Sequence, residues 1–180
     1  YGSDTVNEGC RATQLCVPKE WKESRHPDRD LGFIRVAGCA FGDDEPTPLT
    51  VKAMPIDEIK ATEKVRFTGY YPHPAIEKAT CFYYPMERIW TSNQSNAGVY
   101  PNGNGGGLLC HNNSTVDGSS GSPITDEARE NVYCVHTYGH RLQSDCLTEK
   151  RANACTIITD KDEAASTGNP MDWDYVCKDF

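Results

Sequence analysis

The run Thr115-Val116-Asp117-Gly118-Ser119-Ser120-Gly121-Ser122-Pro123-Ile124 sets two serines between two glycines. Glycine lets a chain turn tightly enough to aim backbone N–H groups at one point, as an attacked carbonyl needs while its oxygen gains negative charge. A serine on such a turn is a candidate nucleophile if a base and an orienting carboxylate lie near it in space. Without context, the run reads equally well as an ordinary Gly-Ser loop. After a polar turn comes Val132-Tyr133-Cys134-Val135-His136-Thr137-Tyr138-Gly139, a β-branched and aromatic stretch carrying one histidine. A lone histidine in such a stretch is usually a satisfied structural residue. Asp30 opens a third informative stretch, Leu31-Gly32-Phe33-Ile34-Arg35-Val36, and is either a functional carboxylate or the start of a strand in an acidic turn.

Positioning these residues falls to short elements. Turn formers recur along the chain, at Pro27-Asp28, Gly42-Asp43-Asp44, Pro72-His73-Pro74 and the run Pro101 to Gly107. Between them, β-branched and aromatic stretches predict strands at Gly32 to Val36, Lys64 to Tyr71, Ala79 to Tyr84, Val132 to Tyr138 and Ala154 to Thr159. Helix is expected only at Ile56 to Glu63 and after Thr159, where Thr159-Asp160-Lys161-Asp162 resembles a capping box. The tail from Asp160 to Phe180 then reads as that short helix and an acidic extension anchored by Cys177, with Trp173, Tyr175 and Phe180 docked on the body. The tract Gly103 to Gly107 lacks the Lys-Ser/Thr of a phosphate loop and reads as a mobile surface loop. Many short strands and few helices give an all-β sandwich or barrel.

With 18 basic and 26 acidic residues the net charge is −8, which opposes partners held by phosphate neutralisation, so nucleic acid is not expected. No apolar stretch approaches the roughly 20 residues that span a bilayer, and no membrane partner is expected. The nine cysteines, at 10, 16, 39, 81, 110, 134, 146, 155 and 177, lack the paired short spacings of a zinc site and read as a disulfide framework. Pairing stays open, although Cys146 and Cys155 bracket a short polar loop that a bridge could close. Sequons at Asn93-Gln94-Ser95 and Asn112-Asn113-Ser114-Thr115 make Asn93, Asn112 and Asn113 glycosylation candidates and fit a secreted, extracellular protein. An odd cysteine count leaves one thiol free or bonded to another chain.

The serine run resembles the nucleophile region of trypsin-like serine proteases, in detail the glutamyl endopeptidase branch. The resemblance covers Cys16 to Thr159 and implies a chymotrypsin-like double β-barrel with a short C-terminal helix and a polypeptide substrate, without metal or cofactor. It makes Ser120 the nucleophile, the N–H groups of Gly118 and Ser120 the oxyanion hole, and Asp30 the carboxylate that orients the base. Gly32 stands where the family usually has alanine, and Val65 to Pro72 resembles the family's strand ending in Gly-Tyr-Pro, with one extra tyrosine. Val135 to Gly139, including Thr137 and Tyr138, takes the place of the strand that pairs with extended substrate and lines the specificity pocket. His136 and Thr115, five positions before Ser120, match the residues that bind a substrate carboxylate in that branch, so cleavage after Glu is implied. Ser114 occupies the place of the aspartate that selects basic residues in trypsin-like enzymes.

The family's catalytic histidine lies further upstream of the aspartate than the 29 residues this chain has ahead of Asp30. His26 reads as a surface residue, and His73, His111 and His140 as structural or exposed. Residues 1–72 are then the remainder of an incomplete N-terminal barrel and its linker, and 73–180 the C-terminal barrel and tail. The expectation is a two-chain protein whose disulfide-linked N-terminal chain supplies the histidine and a tenth cysteine. The alternative is a non-catalytic protease homologue that acts as a secreted binding module.

Overall fold

The computed structural model describes residues 11–25, 29–39, 47–53, 65–71, 88–94, 96–101, 107–111, 113, 115, 118–141 and 152–180. Strand β1 (Arg11–Pro18) ends at a proline that begins the short helix α1 (Lys19–Ser24). After β2 (Phe33–Ala37) come β3 (Thr50–Val51), β4 (Val65–Tyr71), β5 (Arg88–Gln94), β6 (Asn96–Pro101) and β7 (Gly107–His111). The nucleophile run leads into β8 (Pro123–Thr125), the long β9 (Asn131–Arg141) and β10 (Ala152–Ile157). Helix α2 (Asp160–Thr167), a 3-10 turn (Pro170–Trp173) and β11 (Tyr175–Asp179) finish the chain. The expected all-β class, with few and short helices, holds.

Two sheets form. The smaller has the order β11-β1-β2, and the larger runs β5-β4-β8-β9-β10-β7-β6, with β3 pairing in parallel to β9 as its eighth strand. β3 and β4 join the larger sheet, and the C-terminal β11 joins the smaller. The larger sheet closes over Val65, Phe67, Leu109, Ile124, Cys134, Cys155 and Ile157, each fully or almost fully buried. Burying one such aliphatic or aromatic side chain is worth about 1.5–3 kcal/mol, so this cluster dominates the sheet's stability. All five residues of β7 are buried, which makes it an inner strand. A second cluster, Cys16, Leu31, Ala165 and Tyr175, joins the small sheet to α2.

The predicted strands around Gly32, Lys64, Val132 and Ala154 are present with ends shifted by a few residues at most, and the capping box at Thr159 forms as expected. The predicted strand Ala79 to Tyr84, the helix Ile56 to Glu63 and most of the Gly103 to Gly107 tract lie outside the described residues. The tail differs from expectation. Its end is not an extension but a strand, paired with β1 from Gln14↔Asp179 to Pro18↔Tyr175, with Cys16 bonded to its direct partner Cys177. Tyr175 is docked, whereas Trp173 and Phe180 are exposed at 41% and 62% because their strand and turn end at the surface. The bridge considered between Cys146 and Cys155 is replaced by Cys134–Cys155, which links neighbouring strands β9 and β10 inside the core.

Candidate active site

Ser120 stands exposed on the turn that enters β8. Gly118 has φ +91° and Gly121 φ +88°, a region that side chains avoid, so glycine is required on both sides. Three backbone bonds fasten the turn: Gly121 N to His136 O at 2.8 Å, His136 N to Ser122 O at 2.8 Å, and Ser122 N to Ser119 O at 3.1 Å. None of the three uses the N–H of Gly118 or Ser120, the two groups expected at an oxyanion hole. The turn is thus tied to the backbone of the residue expected to line the specificity pocket.

Asp30 occupies a tight turn between two anchored neighbours. The Leu31 N–H donates to Arg29 O at 2.9 Å, Leu31 enters the small core, and Arg29 is buried against Asp162 of α2. The glycine at position 32 has a local cause. A Cβ at Gly32 would lie 3.0 Å from the carbonyl oxygen of Cys16, too close unless the backbone moves. Glycine there lets the Asp30 segment lie close along β1.

A cavity of about 530 Å³ joins these parts, lined by Asp30, Ser120, Gly121, His136 and Thr137 on its polar side. Val17, Trp21, Leu31, Ile34 and Val135 add an apolar wall, with the Trp21 ring 4.0 Å beneath the Arg25 guanidinium. Asp30 and Ser120, ninety residues apart in sequence, therefore open onto the same space. Of this wall, Val17 and Trp21 escape sequence reading, because nothing in their local pattern marks them as neighbours of Ser120.

Further along β9, Thr115 does not border this cavity but lies beside Gly139. A Cβ at 139 would sit 3.7 Å from Asn153 Oδ1 and 4.0 Å from Thr115 Oγ1, so two polar side chains border this face of Gly139 at ordinary contact distance. The Asn153 side chain donates to the Asn113 carbonyl at 2.6 Å behind it. Tyr138 is half-buried on the same strand, and Ser114 lies outside the described residues. Asn113 is 1% exposed with its amide buried, a setting with no room for a branched sugar, which argues against it as a glycan acceptor. Asn112 and the Asn93 side chain lie outside what the structure describes.

His136 is buried and points into the larger sheet. Its ring stands edge-on to Phe67, with centroids 5.6 Å apart, and its Nδ1 is 3.2 Å from Nε2 of His111. His111, expected to be structural or exposed, is fully buried at the end of β7. The signal was the unbroken apolar run Gly107 to Cys110, which carries the next residue inward as well. Burial pushes the His136 imidazole down to about 4, and burial together with the neighbouring His136 pushes His111 down to about 3. Both rings are neutral near pH 7. His26 and His73 lie outside the described residues, as does the side chain of His140.

No protein-family description matches the chain, and no curated protein matches it. Among solved structures, the chain is similar to one described as the crystal structure of tobacco vein mottling virus protease. The TM-score is 0.43 at 16% sequence identity, over 86% of this chain and 55% of that one. The chain thus spans about half the length of that protein, and at this degree of likeness no residue role passes between them.

Proposed function

We propose that the chain is the nucleophile-bearing part of a secreted serine endopeptidase with a chymotrypsin-like double barrel. The observation that carries this reading is the shared cavity of Ser120 and Asp30, with Ser120 exposed on a turn that only glycines can flank. In the reaction, Ser120 Oγ attacks a peptide carbonyl and passes its proton to an imidazole oriented by Asp30. The N–H groups of Gly118 and Ser120 receive the oxyanion, and the protonated imidazole then gives its proton to the leaving amine. The described histidines are committed elsewhere: His111 and His136 are buried against each other. The base belongs to a disulfide-linked N-terminal chain of the same precursor. His136, on the wall of the Ser120 cavity, supports a preference for an acidic residue, Glu, before the cut. The disulfides support secretion.

A fluorophosphonate probe tests this reading on the natively purified protein, because a serine reacts readily only when a base and an oxyanion hole activate it. Labelling at Ser120 that is lost in Ser120→Ala supports it. The rival is a secreted binding module built on the same frame, favoured by the absence of a base among the described histidines. Absence of labelling on a protein that carries its complete N-terminal segment would establish that rival.

A further inference from the structure

His111 and His136 meet inside the larger sheet, both buried, and their contact fixes where the protons sit. A neutral imidazole carries one N–H and one bare nitrogen. With Nε2 of His111 facing Nδ1 of His136 at 3.2 Å, one nitrogen must donate and the other accept. The remaining nitrogen of His111, Nδ1, is buried with no hydrogen-bond partner among the described residues. If His136 donated, His111 would carry its proton on that Nδ1 and bury an N–H with no acceptor, the rarest and costliest kind of orphan. If His111 donates, only a bare lone pair is buried there. Nε2 of His136, by contrast, is not left as a buried, partnerless atom, and His136 forms part of the cavity wall beside Ser120.

We infer that His111 is a positioning residue that donates its Nε2–H to Nδ1 of His136, and so holds His136 as the Nε2–H tautomer, a fixed neutral donor at the wall of the Ser120 cavity. Such a donor suits a substrate oxygen, carbonyl or carboxylate, on the side chain that enters beside Ser120. Its use in peptide cleavage rests on the function proposed above; the proton arrangement itself does not. The low proton affinity of both rings agrees with it, since two neutral imidazoles are needed for a one-donor, one-acceptor pair.

Ring ¹⁵N–¹H correlation spectra of the full protein near pH 7 read the tautomers directly and need no turnover. Both rings should carry the proton on Nε2. A proton on Nδ1 of His136, or a doubly protonated ring, overturns the inference. The variants His111→Gln, which keeps an N–H donor, and His111→Leu, which removes it, give a second arm. The His136 tautomer should persist in the first and become mixed in the second, and KM for a Glu-containing peptide should rise about tenfold in His111→Leu with kcat unchanged, as for a lost hydrogen bond. A His136 tautomer unchanged in His111→Leu would also overturn it. Spectra as expected from a protein that cleaves nothing would instead retain the inference and reject the protease reading.

Discussion

Arg29 lays both terminal nitrogens of its guanidinium on the carboxylate of Asp162, at 3.0 and 2.9 Å, so the turn holding Asp30 is bolted to the first turn of α2. The carboxylate is sealed from solvent and accepts further bonds from Tyr175 Oη at 2.6 Å, Thr159 N at 2.7 Å and Thr159 Oγ1 at 2.8 Å. Burial alone would raise its proton affinity. Arg29 and these donors outweigh that and hold Asp162 below the usual carboxylate range. The same carboxylate is also the N3 half of the α2 capping box, so it ties three elements together.

Asp162→Asn should therefore cost about 3–5 kcal/mol, because it removes the buried, two-pronged partner of the Arg29 charge and leaves only the half-exposed Glu20 carboxylate at 3.4 Å. Urea denaturation measures this as a lower midpoint with an unchanged slope. Replacing both residues with apolar ones, Arg29→Met with Asp162→Leu, should recover a large part of the loss, since a buried ion pair and an apolar pair of similar volume are close in energy. Equal instability of the single and double variants would show that the pair acts through more than its charges.

Acid should destabilise the fold well above the range where carboxylates titrate. An unfolded imidazole takes its proton near 6.5, whereas His136 in the fold resists to about 4 and His111 to about 3. Between those values the unfolded chain binds more protons, so stability is full above pH 6.5 and falls as pH drops through it, by at most about 1.4 kcal/mol per pH unit per ring. Each ring's loss levels off once the pH passes below its folded value. Asp162, whose folded value is lowered, adds its own loss only below about 3.9, the unfolded carboxylate value. Urea midpoints between about pH 7 and pH 4 check this, with a shallower slope expected in His111→Leu. A flat wild-type profile over that range would mean the rings already carry protons in the fold.

The sequence carried the turn chemistry well and the long-range pairing poorly. The Gly118 to Gly121 run, the Thr159 cap and the β-branched stretch of β9 each declare themselves within a few residues, because positive φ, capping and alternation are local requirements. Strand β11 did not, since Tyr175-Val176-Cys177 sits among aspartates and a lysine and becomes a strand only against β1, 161 residues from Cys177 to its bonded partner Cys16. His111, expected to be structural or exposed, is the buried structural kind: the apolar run Gly107 to Cys110 points it inward locally, and only pairing on both sides, with β6 and β10, seals it there.

The glycines around Ser120 should be replaceable only at a cost. Alanine at Gly118 or Gly121 would be held at a φ near +90°, a strain of about 1–3 kcal/mol unless the turn relaxes. Relaxation would move the N–H groups beside Ser120, so the expected outcome is a modest fall in thermal midpoint with a much larger loss of fluorophosphonate labelling. Labelling at the wild-type rate in both variants would remove the turn from the chemistry.

The unpaired cysteine can now be narrowed to three positions. Cys16 with Cys177 and Cys134 with Cys155 form bridges, and Cys39 and Cys110 are disulfide-bonded as well. Nine is odd, so the cysteine left over is Cys10, Cys81 or Cys146. Peptide mapping of the native protein without reduction should find the free thiol, or the bond to a second chain, at one of these and at none of the other six. Intact mass before and after reduction then separates the two cases. A second peptide released from one of the three, carrying a histidine near its cysteine, would supply the base that Ser120 requires. The Cys16–Cys177 bridge should release nothing, yet replacing both its cysteines with serine should cost about 2–5 kcal/mol, because it closes a long loop between the neighbouring strands β1 and β11. Loss of a partner chain on breaking that bridge alone would reassign the pairing of the whole framework.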